Sequence, residues 1–175
     1  MDRQRQCPNI VDDEGADSVS QTPPVGLIVC GSGHAHWMAI MTYGIVLADD
    51  HPLIRQCVRD ILADNADLEV LGEADDVRAL LSLLKREPIK PDLAIIDIEM
   101  PGPGGIEATR QIKALYPDVE VLILTIHKED AYLERAMSAG ASGYIVKDDA
   151  AKDLLPAIRA VRRGKTYVSR SAATY

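Results

Sequence analysis

The sequence predicts an α/β protein with a doubly wound parallel sheet of five strands in the order 2-1-3-4-5. From Tyr43 onward, short apolar runs alternate with amphipathic stretches of about ten residues, the pattern of repeated strand–helix units. The apolar runs are nearly continuous, as expected for strands that a parallel sheet buries on both faces. Five such units favour a doubly wound sheet, for which this strand order is common.

The predicted elements follow one another at regular intervals along the chain. Strands are expected at 44–48, 68–74, 93–96, 119–124 and 143–146, and the helices that follow them at 52–64, 75–86, 106–115, 130–139 and 150–163. Pro52 suits the first turn of a helix, where its missing N–H group leaves no hydrogen bond unmade. Cys57 falls within the first helix and is predicted to be a small buried residue.

The two ends of the chain differ from this regular region. Residues 1–24 are polar and acidic, and they cannot bury enough apolar surface to offset the entropy of ordering. We therefore predict a largely disordered N-terminal extension over residues 1–40 and a folded domain over residues 41–168. Residues 169–175 are interpreted as the remnant of a C-terminal linker.

Composition limits the class of protein. The chain is 47% hydrophobic and 26% charged, as soluble globular domains are, and its net charge of −8 argues against non-specific binding to nucleic acid. The sequence contains no apolar run long enough to predict a membrane-spanning helix. Its three cysteines show neither metal-ligand nor disulfide spacing, which favours a cytoplasmic location.

Polar side chains follow four of the predicted strands. Asp49 and Asp50 come after the first strand, Asp97 after the third, Thr125 after the fourth and Lys147 after the fifth. Because the carboxyl ends of parallel strands share one edge, where doubly wound folds bind their ligands, we expect these side chains to converge. Three carboxylates in one cleft repel one another, and Mg²⁺ relieves this repulsion through oxygen ligands. With a lysine beside them, the cluster predicts a phosphoryl-transfer site.

These residues lie in motifs that resemble the receiver domain of two-component response regulators. The motifs are Asp49-Asp50, Asp97-x-x-Met-Pro-Gly-x-x-Gly105, Thr125 and the run from Ala139 to Lys147. The resemblance spans residues 43 to about 168, and runs such as Leu-Ala-Asp-Asp-His-Pro and Gly-Tyr-Ile-Val-Lys-Asp are similar to the NarL/FixJ (LuxR-type) class. It implies the flavodoxin-like, CheY-like (βα)₅ fold.

The resemblance also implies a chemical role for each acidic residue. Asp97 would accept a phosphoryl group from a sensor histidine kinase or from a small phosphodonor. Asp50 would bind Mg²⁺ directly together with Asp97, Asp49 would bind it largely through water, and Glu99 would contribute its backbone carbonyl.

Three further residues would read the phosphoryl group. Thr125 would hydrogen-bond to a phosphoryl oxygen, Lys147 would pair with the phosphate, and Tyr144 would reorient together with Thr125. The resemblance implies that this event switches a surface formed by the fourth helix, the fifth strand and the fifth helix. Beyond self-phosphorylation and self-dephosphorylation, no enzymatic activity is expected.

The same resemblance suggests partners. A homodimer is expected either through the surface of the fourth helix, fifth strand and fifth helix or through a surface of the first and fifth helices. Regulators of the NarL class bind DNA through a C-terminal helix-turn-helix, and this chain stops at Tyr175 without one. The chain would then be either the regulatory part of a LuxR-type transcription factor or a natural single-domain regulator, and we expect the former, with no membrane partner.

Three other functions deserve comparison. Phosphatases of the haloacid-dehalogenase type need a second carboxylate two residues after the nucleophile, and Glu99 has that spacing, but the partner aspartates here follow the first strand. A flavodoxin-like FMN-binding protein needs a hydroxyl- and glycine-rich loop there, whereas Asp49 and Asp50 would repel the phosphate. A receiver-shaped module without phosphorylation is disfavoured because the full set of site residues is present.

Overall fold

The computed structural model describes residues 42–86 and 90–172. Within them the strands are β1 Tyr43–Ala48, β2 Leu68–Ala74, β3 Leu93–Ile96, β4 Glu120–Thr125, β5 Gly143–Val146 and β6 Tyr167–Val168. The α-helices are α1 Pro52–Ala63, α2 Val77–Leu84, α3 Gly105–Leu115, α4 Asp130–Ser138 and α5 Ala150–Val161. The predicted N-terminal extension lies outside the described residues.

The strands form one parallel sheet in the order β2-β1-β3-β4-β5-β6. The predicted α/β class and the order of the first five strands are confirmed, but the prediction of five strands is wrong. The sixth strand, β6, comprises Tyr167 and Val168, a stretch too short for a repeating pattern. It is held by backbone hydrogen bonds from Tyr167 N to Ser142 O at 3.2 Å and from Ser169 N to Tyr144 O at 2.9 Å.

The chain after β6 remains packed on the domain. Ser169 and Ala172 are fully buried, and the Ser169 hydroxyl accepts a hydrogen bond from Val146 N at 3.1 Å. The Ser171 hydroxyl donates to the Asp149 carboxylate. Packed structure therefore continues from β6 through Ala172.

Two aliphatic cores cover the two faces of the sheet. Val46, Ile96 and Ile123 point to one face, where they pack with side chains of α2, α3 and α4. Their neighbours in sequence point to the other face, where they pack with side chains of α1 and α5. This alternation follows from the two-residue repeat of a strand, and it explains why the strands read as continuous apolar runs.

The helices bury one side each. In α1 the buried residues are Val58 and Leu62, whereas Cys57 is exposed, so the prediction of a buried cysteine is wrong. The reason is that Cys57 precedes Val58 by one position, which turns it about 100° away from the buried stripe of the helix. Within the described residues, no helix is both long enough and apolar enough to cross a membrane.

Candidate functional site

Asp49 and Asp97 lie side by side at the carboxyl edge of the sheet, the edge where the parallel strands end. Ala48 of β1 is in register with Ile96 of β3, so the next residue of each strand is an aspartate. Asp97 N donates to Ala48 O at 2.8 Å, which continues the ladder into the site. The two aspartates are 5% and 2% exposed, so both carboxylates are largely removed from water.

Lys147 supplies the positive charge between these two aspartates. Its Nζ atom lies 2.7 Å from Asp49 Oδ2 and 2.7 Å from Asp97 Oδ2. Burial lowers the pKa of Lys147, but its contacts with Asp49 and Asp97 outweigh this effect and leave the pKa above its ordinary value. The lysine is therefore held as an ammonium ion at neutral pH.

The Asp97 carboxylate is buried but only partly satisfied. Burial raises its pKa above the ordinary value, the hydrogen bond and charge of Lys147 act in the opposite direction, and the charge of Asp49 adds to the rise. Asp97 Oδ1 and Asp49 Oδ2 are buried without a hydrogen-bond partner among the described residues. Asp49 Oδ2 is ion-paired with Lys147 Nζ at 2.7 Å, whereas Asp97 Oδ1 keeps its acceptor capacity.

The acidic cluster fits a hard divalent cation. Asp49, Asp50, His51 and Asp97 each offer a ligand atom, and these atoms lie within 4.8 Å of one another. Carboxylate oxygens are the ligands that Mg²⁺ prefers, and the buried Asp97 Oδ1 atom, which lacks a hydrogen-bond partner among the described residues, is an acceptor that a cation would satisfy. The cluster could therefore bind a metal ion.

His51 belongs to this cluster, and the sequence reasoning missed it. Its Nδ1 atom lies 2.7 Å from Asp50 Oδ1 and 3.2 Å from Asp49 Oδ1, and its backbone N–H donates to Asp49 Oδ1 at 2.8 Å. The sequence feature that could have identified His51 is its position directly after the two aspartates, in the turn that enters α1.

Thr125 and Tyr144 are connected through the backbone of His127. Thr125 and Tyr144 are fully buried. Thr125 Oγ1 accepts from His127 N at 3.3 Å, and the Tyr144 hydroxyl donates to His127 O at 3.1 Å. The His127 ring stacks on Tyr132 of α4 with centroids 3.9 Å apart, and its Nε2 atom lies 3.1 Å from Glu99 Oε1. Burial raises the pKa of Tyr144, so its hydroxyl stays protonated as a donor.

The loop after Asp97 depends on glycine for steric reasons. A Cβ atom on Gly105 would lie 1.9 Å from the carbonyl oxygen of Asp97, far inside van der Waals contact. Gly105 N donates to Ile98 O at 2.9 Å, which brings the start of α3 against the end of β3. Gly104 has a φ of 80°, a conformation that favours glycine. The glycines thus allow α3 to approach the site.

An open cleft of about 340 Å³ lies over the acidic cluster at the carboxyl edge of the sheet. Asp97 and Lys147 line it together with His51 and Ile126. The Ile126 side chain is 59% exposed at its wall. The cleft gives a small ligand direct access to the carboxylate.

The response regulator receiver domain family matches residues 45–159. The chain belongs to this family. Two curated relatives are the response regulator GacA of Pseudomonas aeruginosa, 39% identical over 125 residues, and the transcriptional regulatory protein DegU of Brevibacillus brevis, 40% identical over 124 residues. Each alignment covers 71% of this chain, but 58% of GacA and 52% of DegU, so the receiver spans little more than half of each relative.

Solved receiver structures resemble the chain closely. A LuxR-family two-component response regulator from Aurantimonas sp. SI85-9A1 has a TM-score of 0.70 and 36% identity, covering 75% of this chain and 93% of that one. The isolated receiver of RcsB from Salmonella enterica serovar Typhimurium, in the presence of phosphomimetic BeF₃⁻, has a TM-score of 0.70 and 28% identity, covering 75% and 96%. These relatives support the NarL/FixJ (LuxR-type) class.

The structure of this receiver gathers most of the predicted site residues at one edge. Those at the carboxyl edge are Asp49, Asp50, Asp97, Thr125 and Lys147. Tyr144 is linked to Thr125 through the backbone of His127. The Glu99 side chain faces His127, and metal binding by its backbone carbonyl stays a prediction.

Proposed function

We propose that this receiver accepts a phosphoryl group on Asp97 and acts as a phosphorylation switch. The observation that carries the proposal is the Asp97 carboxylate itself. Its Oδ2 atom is hydrogen-bonded to Lys147 at 2.7 Å, while its Oδ1 atom is buried without a hydrogen-bond partner among the described residues. A nucleophile needs one such free oxygen, and the open cleft gives a donor access to it.

The transfer would convert the carboxylate into an acyl phosphate. A carboxylate oxygen of Asp97 forms a bond to phosphorus as the phosphorus–nitrogen bond of a phosphohistidine, or the phosphorus–oxygen bond of a small acyl phosphate, breaks. The leaving imidazole or carboxylate keeps the bonding electrons, and the imidazole takes a proton from solvent. Lys147 supports this step because its hydrogen bond and charge lower the pKa of Asp97 against the effect of burial and because its charge faces the added phosphate.

Asp49, Asp50 and Asp97 would hold Mg²⁺ at the same place, with the backbone carbonyl of Glu99 as a further ligand. When bound, the ion neutralises negative charge on the cluster and on the phosphoryl oxygens. The closely spaced ligand atoms of these aspartates and the Asp97 Oδ1 atom without a hydrogen-bond partner among the described residues support this choice of ligands.

The response to phosphorylation would run through Thr125. If its hydroxyl turns to bind a phosphoryl oxygen, it releases the His127 N–H group that it now accepts from. The backbone of His127 also holds the Tyr144 hydroxyl, and its ring stacks on Tyr132 of α4. A local change at Thr125 would thereby shift the α4–β5–α5 surface.

Membership of the receiver family suggests the partners and the regulatory role of the protein. We propose a sensor histidine kinase as phosphodonor, a cytoplasmic location, and a role as the regulatory part of a LuxR-type transcription regulator that binds DNA through a separate helix-turn-helix. A homodimer through the α4–β5–α5 surface or the α1/α5 surface stays a prediction, as does the lack of enzymatic turnover.

Intact mass spectrometry after incubation with Mg²⁺ and acetyl phosphate tests the switch. Wild-type protein should gain one phosphoryl group, Asp97→Asn should gain none, and omission of Mg²⁺ should prevent the gain. Asp92→Asn, at the opposite edge of the sheet, is the matched control and should be labelled like the wild type. The proposal fails if wild-type protein takes up no phosphate or if Asp97→Asn is labelled equally. Continuous hydrolysis of a phosphorylated metabolite would favour the phosphatase instead.

A further inference from the structure

Helix α1 carries two arginines, one turn apart, that share a single carboxylate. Arg55 Nε donates to Glu73 Oε2 at 3.0 Å, and Arg59 Nη1 pairs with Glu73 Oε1. Arg55 Nη1 also donates to the backbone carbonyl of Asp49 at 2.5 Å, a contact that the described residues do not show for Arg59. Arg55 alone of the two makes the link to the acidic turn, whereas Arg59 contacts Gln56 Oε1 and is the more exposed of the two.

The hydrogen bond from Arg55 is one of three contacts that hold Asp49 in place. Asp49 N donates to Ala74 O at 3.1 Å, so the strand ladder holds its N–H group. Arg55 holds its carbonyl group, and the backbone N–H of His51 donates to its Oδ1 atom at 2.8 Å. With these three contacts made, Asp49 Oδ2 is the acceptor directed at Lys147 and the cation site.

Glu73 is held at the same edge of the sheet as the acidic cluster. It is in register with Leu47 of β1, two residues before Asp49. Two arginines neutralise it, and the Arg55 and Glu73 side chains are 18% and 25% exposed. A planar guanidinium can bond to a carboxylate and a carbonyl at once, which a lysine ammonium does less well. Glu73 thus orients the arginine that reaches Asp49.

We infer that Arg55, oriented by Glu73, is a positioning residue for the cation site: it fixes Asp49 so that its carboxylate can bind Mg²⁺ together with Asp50 and Asp97. This inference rests on the proposed function. It makes a prediction opposite in sign to simple electrostatics. A positive charge near a cation site repels the cation, so removal of Arg55 would strengthen Mg²⁺ binding if charge were its only effect.

An NMR titration of the full chain with MgCl₂, following backbone amides of the acidic turn, tests the inference. Arg55→Gln should weaken Mg²⁺ binding about tenfold, as loss of a group that orients a metal ligand does. Arg59→Gln removes the same charge from the same ion-pair network and should change the dissociation constant by less than about twofold. Arg55→Lys should recover part of the affinity, since its ammonium can reach one of the two acceptors.

The same spectra report whether each variant is folded. If Arg55→Gln fails to fold, Arg55→Lys takes its place, since it keeps the positive charge but its ammonium can reach only one of the two acceptors, and it should still bind Mg²⁺ more weakly than the wild type. Unchanged or tighter binding by Arg55→Gln, or equal weakening by Arg59→Gln, overturns the inference. Absence of Mg²⁺ binding by the wild-type protein would instead overturn the proposed function, and this inference with it.

Discussion

The two edges of the sheet both carry lysine and carboxylate groups, but they satisfy them differently. At the amino edge, where the strands begin, Asp92 Oδ2 accepts from Gly44 N at 2.7 Å and the Glu120 carboxylate accepts from Ser142. Lys113 Nζ at that edge donates to two backbone carbonyls, at 2.8 and 3.0 Å. These charged groups close loops and strand ends, which is a structural role.

At the carboxyl edge the polar groups have fewer hydrogen-bond partners than they can accept. Lys147 contacts two carboxylates, and one oxygen of each is buried without a hydrogen-bond partner among the described residues. An unpaired buried acceptor destabilises the fold unless something else satisfies it. The comparison indicates that polar residues at a sheet edge do not by themselves form a ligand-binding site. Unused acceptor capacity, held in place by the fold, separates the two edges.

The largest expected effect comes from paired glycine substitutions at the two edges. Gly105→Ala would place a Cβ atom 1.9 Å from the Asp97 carbonyl oxygen. Relief of this clash requires movement of the backbone, which costs more free energy than rotation of a side chain. Gly44→Ala would place a Cβ atom 2.5 Å from Leu71 Cδ1, the end of a side chain that can rotate. We expect losses in unfolding free energy of about 4 kcal/mol or more for Gly105→Ala and about 2 kcal/mol for Gly44→Ala, measured by urea denaturation. Equal losses would contradict the steric argument.

Lysine substitutions compare the charges directly. Lys147→Met leaves two buried carboxylates without their cation and should cost about 3 kcal/mol of unfolding free energy in the absence of Mg²⁺. Lys113→Met removes hydrogen bonds to two carbonyls at a more exposed position and should cost about 1 kcal/mol. Because Mg²⁺ supplies positive charge at the carboxyl edge, it should recover part of the loss in Lys147→Met and none in Lys113→Met. Urea denaturation with and without MgCl₂ measures both, and identical responses to Mg²⁺ would count against the difference.

The smallest effect should differ in sign between the edges. The pKa of Asp97 is raised by burial, so the stability linked to this group is present below its unfolded-state pKa of about 3.9 and is lost as pH rises through its folded-state pKa. At pH 7 without divalent cations, Asp97→Asn should therefore raise the melting temperature, and the gain should shrink as the pH approaches 4. Asp92→Asn weakens a charge-assisted bond to Gly44 N and should lower the melting temperature slightly. Thermal melts of both variants between pH 4 and pH 7 measure these changes in melting temperature. A higher melting temperature for Asp92→Asn would contradict the expected difference in sign between the two edges.

Much of the site could be predicted because its residues directly follow strands. Asp49 and Asp97 come after the apolar runs of β1 and β3, and a parallel sheet brings such ends to one edge whatever its detailed packing. Arg55 could not be assigned a role in this way. Its contact with Asp49 depends on how α1 lies against β2, and no spacing in the sequence encodes that distance.

The sequence by itself determined the alternation of strands and helices, the order of the first five strands and the edge on which the acidic residues gather. It could do so because the period of apolar residues distinguishes strand from helix, and a doubly wound connection restricts the topology. Tertiary structure alone decided three other features: the sixth strand, the exposure of Cys57 and the buried Asp97 Oδ1 atom that has no hydrogen-bond partner among the described residues. Each depends on contacts between residues distant in sequence, where hydrogen-bond partners and burial are settled by position in space.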